Sequence, residues 1–267
     1  MIIFNGKKTA GKILSELKKK IKNEKIKPKL AVISVGKDPA SELFIRNKKR
    51  TAKKTGIEIY HYKLKENAKE KEIVERIEYL NKDFSVNGII IQLPLPRRLN
   101  SEKIIKEILP KKDVDGFTQK TCFKSPLILS ILIALKNSNK KLKGKKVLTL
   151  VNSDIFGKTL KKYLKKENIN INYLKNEKTS RIKSADILIS VLGKPNLIKE
   201  KMLKRGVILI DAGTSVTSKN KVIGDIDKKN IQKKASFLTP VPGGIGPLTI
   251  AYLLKNVYAA YKYRQTH

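Results

Sequence analysis

Cysteine is almost missing from this chain. Cys122 is the only one, so no internal disulfide can form and no cysteine cluster can hold a metal. Histidine is nearly as scarce: His61 and His267 are too few for a histidine-based metal site, and no metal centre is expected. Long apolar runs are absent too. The longest, around Pro126–Leu135, is about half a membrane span, so no membrane partner is expected. The opening MIIFNGKK lacks a charged segment followed by an apolar one; no signal peptide is expected and a cytoplasmic location is. Acidic residues are few, 23 against 60 Lys and Arg, giving a net charge of +37. Such an excess ordinarily points to nucleic acid or an anionic membrane. Yet arginine, the favoured bidentate reader of phosphates and bases, is itself rare: there are 8 Arg and 52 Lys. The lysines are spread along the whole chain and accompany abundant Ile and Asn, a chain-wide compositional drift. No specific nucleic-acid partner is expected. The charge reads as a solvated background that still attracts a small anionic substrate.

What is present suffices for buried cores. The chain has 267 residues, 40% of them hydrophobic and 31% charged, which excludes a disordered chain and leaves room for one large domain or two modest ones. Apolar periodicity alternates between strand and helix. Helical spacing over Lys7–Lys22 is followed by a buried-type strand at Leu30–Val35. A helix then opens at Asp38-Pro39 and closes at Gly56, with Asp as N-cap, Pro in the first helical position and Gly at the end. Ile57–Tyr62 and Gly88–Gln92 read as strands, Lys69–Leu80 and Ser101–Ile108 as helices. This is βαβαβ order and predicts a parallel sheet covered on both faces. After Gly116 the pattern restarts. A helix over Pro126–Lys136, a strand over Lys146–Val151 and a helix over Gly157–Lys165 precede strands at Ile169–Leu174, Asp186–Val191 and Val207–Asp211, with a helix near Lys199–Lys204. A last helix spans about Pro247–Arg264. The second half is Rossmann-like. The predicted fold class is α/β with two lobes, an N-terminal parallel α/β lobe and a Rossmann-like dinucleotide-binding lobe, with a ligand cleft between them.

Five constellations carry possible chemistry. Ser41, Phe44 and Lys48 lie at i, i+3 and i+7 of one helix and share a face; a ring beside a lysine can sandwich and act on a flat ligand. The plainer reading is a half-buried ring and a solvated lysine. Gln92 ends a buried strand and precedes Leu93-Pro94-Leu95-Pro96, at the sheet edge where parallel folds place ligands. An ordinary strand end is the alternative. Lys112-Asp113-Val114-Asp115-Gly116-Phe117 sets two carboxylates before a glycine. It is no calcium loop, and alone it reads as an Asp-Gly turn. Thr239-Pro240-Val241-Pro242-Gly243-Gly244-Ile245-Gly246-Pro247-Leu248-Thr249 is a rigid loop with exposed amides that suits a planar ligand. Val151-Asn152-Ser153-Asp154-Ile155-Phe156-Gly157-Lys158 joins strand to helix, where a pyrophosphate would rest on a helix N-terminus, although its one glycine does not make a G-x-G-x-x-G.

In this order, and with Val35-Gly36-Lys37-Asp38-Pro39-Ala40-Ser41, Pro110 through Gly116, Gly193-Lys194-Pro195, Ile210-Asp211-Ala212-Gly213 and Gly224-Asp225-Ile226, these segments resemble the bifunctional methylenetetrahydrofolate dehydrogenase/methenyltetrahydrofolate cyclohydrolase family from about Gly6 to Tyr258. The resemblance implies a folate-binding catalytic lobe over 1–121, completed by the C-terminal helix 247–267, and an NAD(P)-binding lobe over 122–246. It implies oxidation of 5,10-methylenetetrahydrofolate and hydrolysis of the methenyl product to 10-formyltetrahydrofolate, by a homodimer whose partners are one-carbon tetrahydrofolates. Lys48 would be catalytic, Gln92 would tune it, and Asp115 would hold the pterin. Ser41, Phe44, Ile91, Leu93, Pro242, Gly243, Gly244, Ile245 and Gly246 would line the substrate. Val151, Asn152, Ser153, Gly157, Gly193 and Thr214 would bind NADP, with NAD as the alternative.

The chain departs from the family pattern in places. Phe44 replaces the usual tyrosine, Phe123-Lys124-Ser125-Pro126 replaces Pro-Cys-Thr-Pro, Val151-Asn152-Ser153 replaces Gly-Arg-Ser, and Thr159 replaces proline. The stretch Asn172–Ser184 is short and lacks the His-Ser-x-Thr pattern. An arginine and a serine for a 2′-phosphate are thereby lost, leaving Lys175 or Lys178 as point charges. A cyclohydrolase with a decayed cofactor lobe, and a basic nucleic-acid-binding protein, are the competing expectations.

Overall fold

The computed structural model describes residues 1–118, 120–175, 179–217 and 221–266. Along the chain come β1 (Ile2–Ile3), α1 (Gly6–Lys22), β2 (Lys29–Val35), α2 (Pro39–Thr55), β3 (Glu58–Leu64), α3 (Glu70–Lys82), β4 (Gly88–Ile91), α4 (Ser101–Lys106), α5 (Pro126–Lys136), β5 (Val147–Val151), α6 (Asp154–Lys166), β6 (Ile171–Lys175), β7 (Ile187–Val191), β8 (Val207–Asp211), β9 (Ser215–Val216), β10 (Val222–Ile223), β11 (Ala235–Thr239) and α7 (Ile245–Thr266). Short 3-10 turns lie at Thr179–Ser184, Glu200–Met202 and Ile231–Lys233.

The contacts divide the chain into two units. One comprises Ala10–Pro126 and the residues from Ile250 onward. Its sheet is parallel, in the order β3-β2-β4. Central β2 reads as a continuous apolar run because both of its faces are covered. Ala31, Ile33 and Val35 pack with Ile73, Leu80, Ile89 and Ile104, while Leu30 and Val32 pack with Ile45, Ile90, Leu254 and Val257. The period of two along the strand thus sorts its side chains between two cores.

The other unit comprises Met1–Thr9 and Leu127–Thr249. Its main sheet is six-stranded and all parallel, in the order β1-β11-β8-β7-β5-β6, and β9 and β10 form a separate antiparallel pair. The first residues of the chain join this unit, rather than the lobe expected over 1–121, because β1 pairs with β11 at Ile2↔Phe237 and Ile3↔Leu238. Two further differences from the sequence expectation are local. The helix near Lys199–Lys204 is a single 3-10 turn, and β11 was not foreseen.

Thr149, at the centre of β5, is fully buried and its hydroxyl has no hydrogen-bond partner among the described residues. An unmet buried hydroxyl costs about 1–3 kcal/mol. Thr149→Val keeps the shape and removes that cost, so thermal melting should rise by a few degrees. A fall in melting temperature would show that the hydroxyl is satisfied.

Candidate active site

The site in the first unit is built on α2 and the end of β4. Asp38 caps α2 by accepting from the Ser41 amide at 2.7 Å, and Pro39 occupies the first turn, where no amide partner is needed. Gly56 ends the helix in the left-handed region at φ 88°. Between these signals, Lys48 Nζ donates to Gln92 Oε1 at 2.9 Å. Gln92 is itself held at three points. Its backbone amide donates to Ile33 O at 2.8 Å, its Nε2 donates to Leu93 O at 2.8 Å, and its Oε1 receives the lysine. Ser41 Oγ donates to the same Leu93 carbonyl at 3.4 Å. Ser41, Lys48, Gln92 and Leu93 therefore form one connected group. Ile91 is buried and Leu93 is exposed on either side of Gln92, and Phe44 is half-buried on α2.

Burial pushes the Lys48 amine below its ordinary pKa, and the Asp115 carboxylate opposes that shift. Asp115 is pushed up to about 6, first by burial and also by the neighbouring Asp113, with Lys48 pulling the other way. Each residue keeps some exposure overall, but its ionisable end is enclosed.

The two carboxylates of the Asp113–Asp115 pair do different work. Asp113 is 1% exposed and is used up locally. It accepts from the Gly116 amide at 3.0 Å, from the Thr118 amide at 2.7 Å and from Thr118 Oγ1 at 2.8 Å. Gly116 turns at φ 73°, and a Cβ there would lie 2.6 Å from the Ser125 amide. Asn256 Nδ2 on α7 donates to Val114 O and to Lys124 O, both at 2.9 Å. The loop is thus fixed from both sides, and among the described residues the Asp115 carboxylate is left unspent. Sequence reasoning missed Asp113 and Asn256 in these roles, and Lys112 as well. Lys112 is buried and caps the end of α3, donating to Leu80 O and Asp83 O at 2.7 Å each. Burial, with Arg264 adding to it, pushes Lys112 down to about 8.

In the second unit, the expected cofactor residues lie at the C-terminal ends of the parallel strands. Val151 closes β5 and is buried, while Asn152 is exposed. Ser153 is the N-cap of the 13-residue helix α6 but makes no side-chain cap hydrogen bond, so the first-turn amides are open to an anion. Gly157 is helical, as expected, but the helix opens three residues before it, at Asp154. It sits inside α6, where a Cβ would lie 2.6 Å from the Tyr173 ring, so it permits close helix–strand packing. Gly193 follows β7 at φ 70°, with the Thr214 carbonyl 3.6 Å from where its Cβ would be. Ser215 Oγ donates to Gly193 O at 2.8 Å. Gly193 and Thr214 are therefore neighbours, on the loops that leave β7 and β8. Lys175, the last residue of β6, forms an exposed ion pair with Asp154 at 2.8 Å. Lys178 lies outside the described residues.

The Pro240–Gly246 loop also belongs to this unit. Gly244 N donates to Pro240 O at 2.7 Å, Lys7 N to Gly243 O at 3.1 Å, and Lys228 Nζ to Val241 O at 3.0 Å. Pro242 and Gly246 are exposed, Gly243 is half-buried, and Gly244 and Ile245 are buried. Among the described residues no cluster of three or more His, Cys, Asp or Glu could hold a metal, and no helix is long and apolar enough to cross a membrane.

Known proteins resemble this chain in sequence and fold. The family model for the tetrahydrofolate dehydrogenase/cyclohydrolase catalytic domain matches residues 4–115, and that for its NAD(P)-binding domain matches residues 127–265. The bifunctional protein FolD of Thermodesulfovibrio yellowstonii is 40% identical over 97% of this chain and 96% of its own length. That of Agathobacter rectalis is also 40% identical, over 97% and 99%. Among solved structures, the Campylobacter jejuni bifunctional methylenetetrahydrofolate dehydrogenase/cyclohydrolase superposes with a TM-score of 0.87 at 35% identity, covering 99% of each chain. A Trypanosoma brucei counterpart, complexed with NADP and an inhibitor, gives a TM-score of 0.89 at 25% identity, covering 100% of this chain and 99% of that one.

Proposed function

The chain belongs to the tetrahydrofolate dehydrogenase/cyclohydrolase family, and from that premise we propose how its own residues carry the two activities of one-carbon folate metabolism: oxidation of methylenetetrahydrofolate and hydrolysis of the methenyl product. The observation that carries this reading is the enclosed Lys48 amine, held 2.9 Å from Gln92 Oε1 and coupled to Asp115.

Hydrolysis adds water to the bridging carbon and then breaks a C–N bond, and both steps move protons. A lysine accepts a proton only when neutral, which its burial favours. Gln92 holds the amine by an uncharged oxygen, so it fixes direction without restoring the positive charge as a carboxylate would. Leu93 O, receiving Gln92 Nε2 and Ser41 Oγ, keeps the amide from turning over. Asp115, unspent by its loop, is the carboxylate for the pterin. Phe44 offers a ring for stacking but no hydroxyl, so an orienting bond through that oxygen is absent or supplied by water. Pro242 and Gly246, the exposed residues of their loop, are further proposed folate contacts.

When bound, a nicotinamide dinucleotide supplies the hydride acceptor. The residues present suit such a group: the uncapped start of α6, the packing glycine Gly157, and the adjoining Gly193 and Thr214 at the strand ends. No side chain has to move a proton in that oxidation, so the chain's contribution is alignment. We assign NADP rather than NAD. The strand after the first βα unit, where NAD enzymes place an acidic residue for the ribose, ends here in a cation, Lys175. Homodimerisation and a cytoplasmic location are proposed with this reading.

The test is direct methenyl hydrolysis measured beside dehydrogenase assays with NADP and NAD in parallel. Both activities are expected, with the lower KM for NADP. Lys175→Ala should raise the NADP KM about three- to tenfold and leave that for NAD unchanged, as removal of one exposed charge contact does. Hydrolysis without oxidation by either dinucleotide would instead mean a single-activity enzyme.

A further inference from the structure

A pair of buried acids stands behind the cofactor edge of the six-stranded sheet, and neither has been given a role above. Asp225 is 0% exposed and Asp211 is 3% exposed. Asp225 Oδ2 accepts from Ser190 Oγ at 2.6 Å and from the Leu192 amide at 2.8 Å, and its Oδ1 accepts from the Lys194 amide at 2.7 Å. It therefore grips the chain on both sides of Gly193. Asp211, the last residue of β8, accepts at Oδ1 from the Gly213 amide at 3.2 Å and the Asp225 amide at 3.1 Å, and at Oδ2 from the Ile226 amide at 3.0 Å. It therefore holds the loop that leads to Thr214 and, at the same time, the backbone of its partner acid.

The two acids interlock with two glycines. A Cβ on Gly213 would fall 2.0 Å from Asp225 Oδ2, and one on Gly224 would fall 2.1 Å from Asp211 Oδ2. Burial pushes the Asp211 carboxyl up to about 7, with the charge of Asp225 adding to the shift and backbone amides opposing it. Keeping two carboxyl groups together out of water costs free energy that apolar packing would avoid. What the acids provide is six directed acceptor contacts, one to Ser190 inside β7 and five to the loops leaving β7 and β8 or to the 225–226 backbone beside them.

We infer that Asp225, braced by Asp211, is a positioning residue for the dinucleotide. It sets the peptide planes flanking Gly193 and, through Asp211, the approach to Thr214. This rests on the reading that these strand ends bind the nicotinamide dinucleotide. It adds that the two activities are separable at a residue that touches neither substrate nor cofactor.

The experiment uses the full chain and compares wild type with Asp225→Asn and Ser190→Ala. Dissociation constants for NADP and NAD are measured calorimetrically, alongside dehydrogenase kcat and KM and the cyclohydrolase rate. Asn cannot accept at both positions, so Asp225→Asn should raise the dinucleotide Kd and KM about 10- to 100-fold, the usual effect of losing a charged acceptor. Dehydrogenase kcat at saturating dinucleotide should stay within about threefold, and cyclohydrolase should be unchanged. Ser190→Ala removes only the hydroxyl contact and should move the same constants about two- to fivefold. It supplies the answer should Asp225→Asn fail to fold. Unchanged dinucleotide Kd in Ser190→Ala and in folded Asp225→Asn, or both activities falling in parallel, overturns the inference. Wild type that binds neither dinucleotide overturns the reading of this edge itself, a result distinct from a failure of the variants.

Discussion

Lys48→Met should abolish methenyl hydrolysis, with a loss of about 10²–10⁴-fold or more, the range set by removal of a general acid–base group. Dehydrogenase turnover at saturating substrate should stay within about tenfold, because hydride removal needs no proton acceptor and rests on alignment. The variant should also fold. An amine whose pKa burial pushes down is held at a cost to the native state, and a methionine of similar length removes that cost, against which stand Gln92 Oε1 without its donor and Asp115 without the neighbouring cation, which leaves its carboxyl more readily protonated. The melting temperature should therefore be unchanged or slightly higher, so lost hydrolysis cannot be ascribed to unfolding. The measurement is the decay of methenyltetrahydrofolate absorbance, followed with and without dinucleotide and compared with thermal melts of the same samples. Hydrolysis at the wild-type rate would remove Lys48 from the mechanism.

The pair at the centre of that prediction was legible because both partners lie where sequence rules place ligand-facing groups. Lys48 sits one face-repeat after Ser41 on a helix whose cap and stop are written as Asp38-Pro39 and Gly56, and Gln92 is the first polar residue after a buried strand. Their 2.9 Å contact was not legible, since it joins residues 44 apart. The two acids around Val114 show the same boundary. Spacing set them side by side, but only the fold shows that Asp113 spends its oxygens on Gly116 and Thr118 while Asp115 remains unspent.

Gly157 shows how a correct local signal stops short. The helix was expected to open at this glycine, yet α6 begins earlier, at Asp154, and what requires the glycine is the Tyr173 ring 16 residues on. β11 was missed for a related reason. Its five residues, Ala235–Thr239, carry no long apolar run, and they are held as a strand by β8 and β1 on either side. The expected helix near Lys199–Lys204 had spacing for one turn, and one 3-10 turn is what formed. Asp211 and Asp225 were visible as residues, but their interlock with Gly213 and Gly224 exists only across the loops.

Two substitutions around the lysine should move its pH profile in opposite directions. The Asp115 carboxylate favours charged Lys48. Asp115→Asn therefore makes the amine easier to deprotonate, and the acid limb of cyclohydrolase kcat should move to lower pH. Gln92→Glu places a carboxylate where the amide oxygen now lies, 2.9 Å from Nζ. It favours the ammonium, moves the limb to higher pH, and lowers the rate near neutrality about 10- to 1000-fold. Affinity separates the two further. Asp115→Asn gives up a charged contact to the pterin and should raise the folate KM about 10- to 100-fold. In the wild type that KM should also rise as pH falls below the Asp115 pKa of about 6, whereas in Asp115→Asn it should be flat there. Stability gives a control with a definite sign. A carboxyl whose native pKa is raised from 3.8 to about 6 stabilises fully below the lower value, and that contribution is lost as pH rises through the upper one. Asp115→Asn should therefore melt no lower than wild type at pH 8, and its weakened binding cannot come from a loosened fold. Limbs that shift in the same direction, or that do not shift in either variant, would mean that the titrating group is not the amine held between the glutamine and the aspartate.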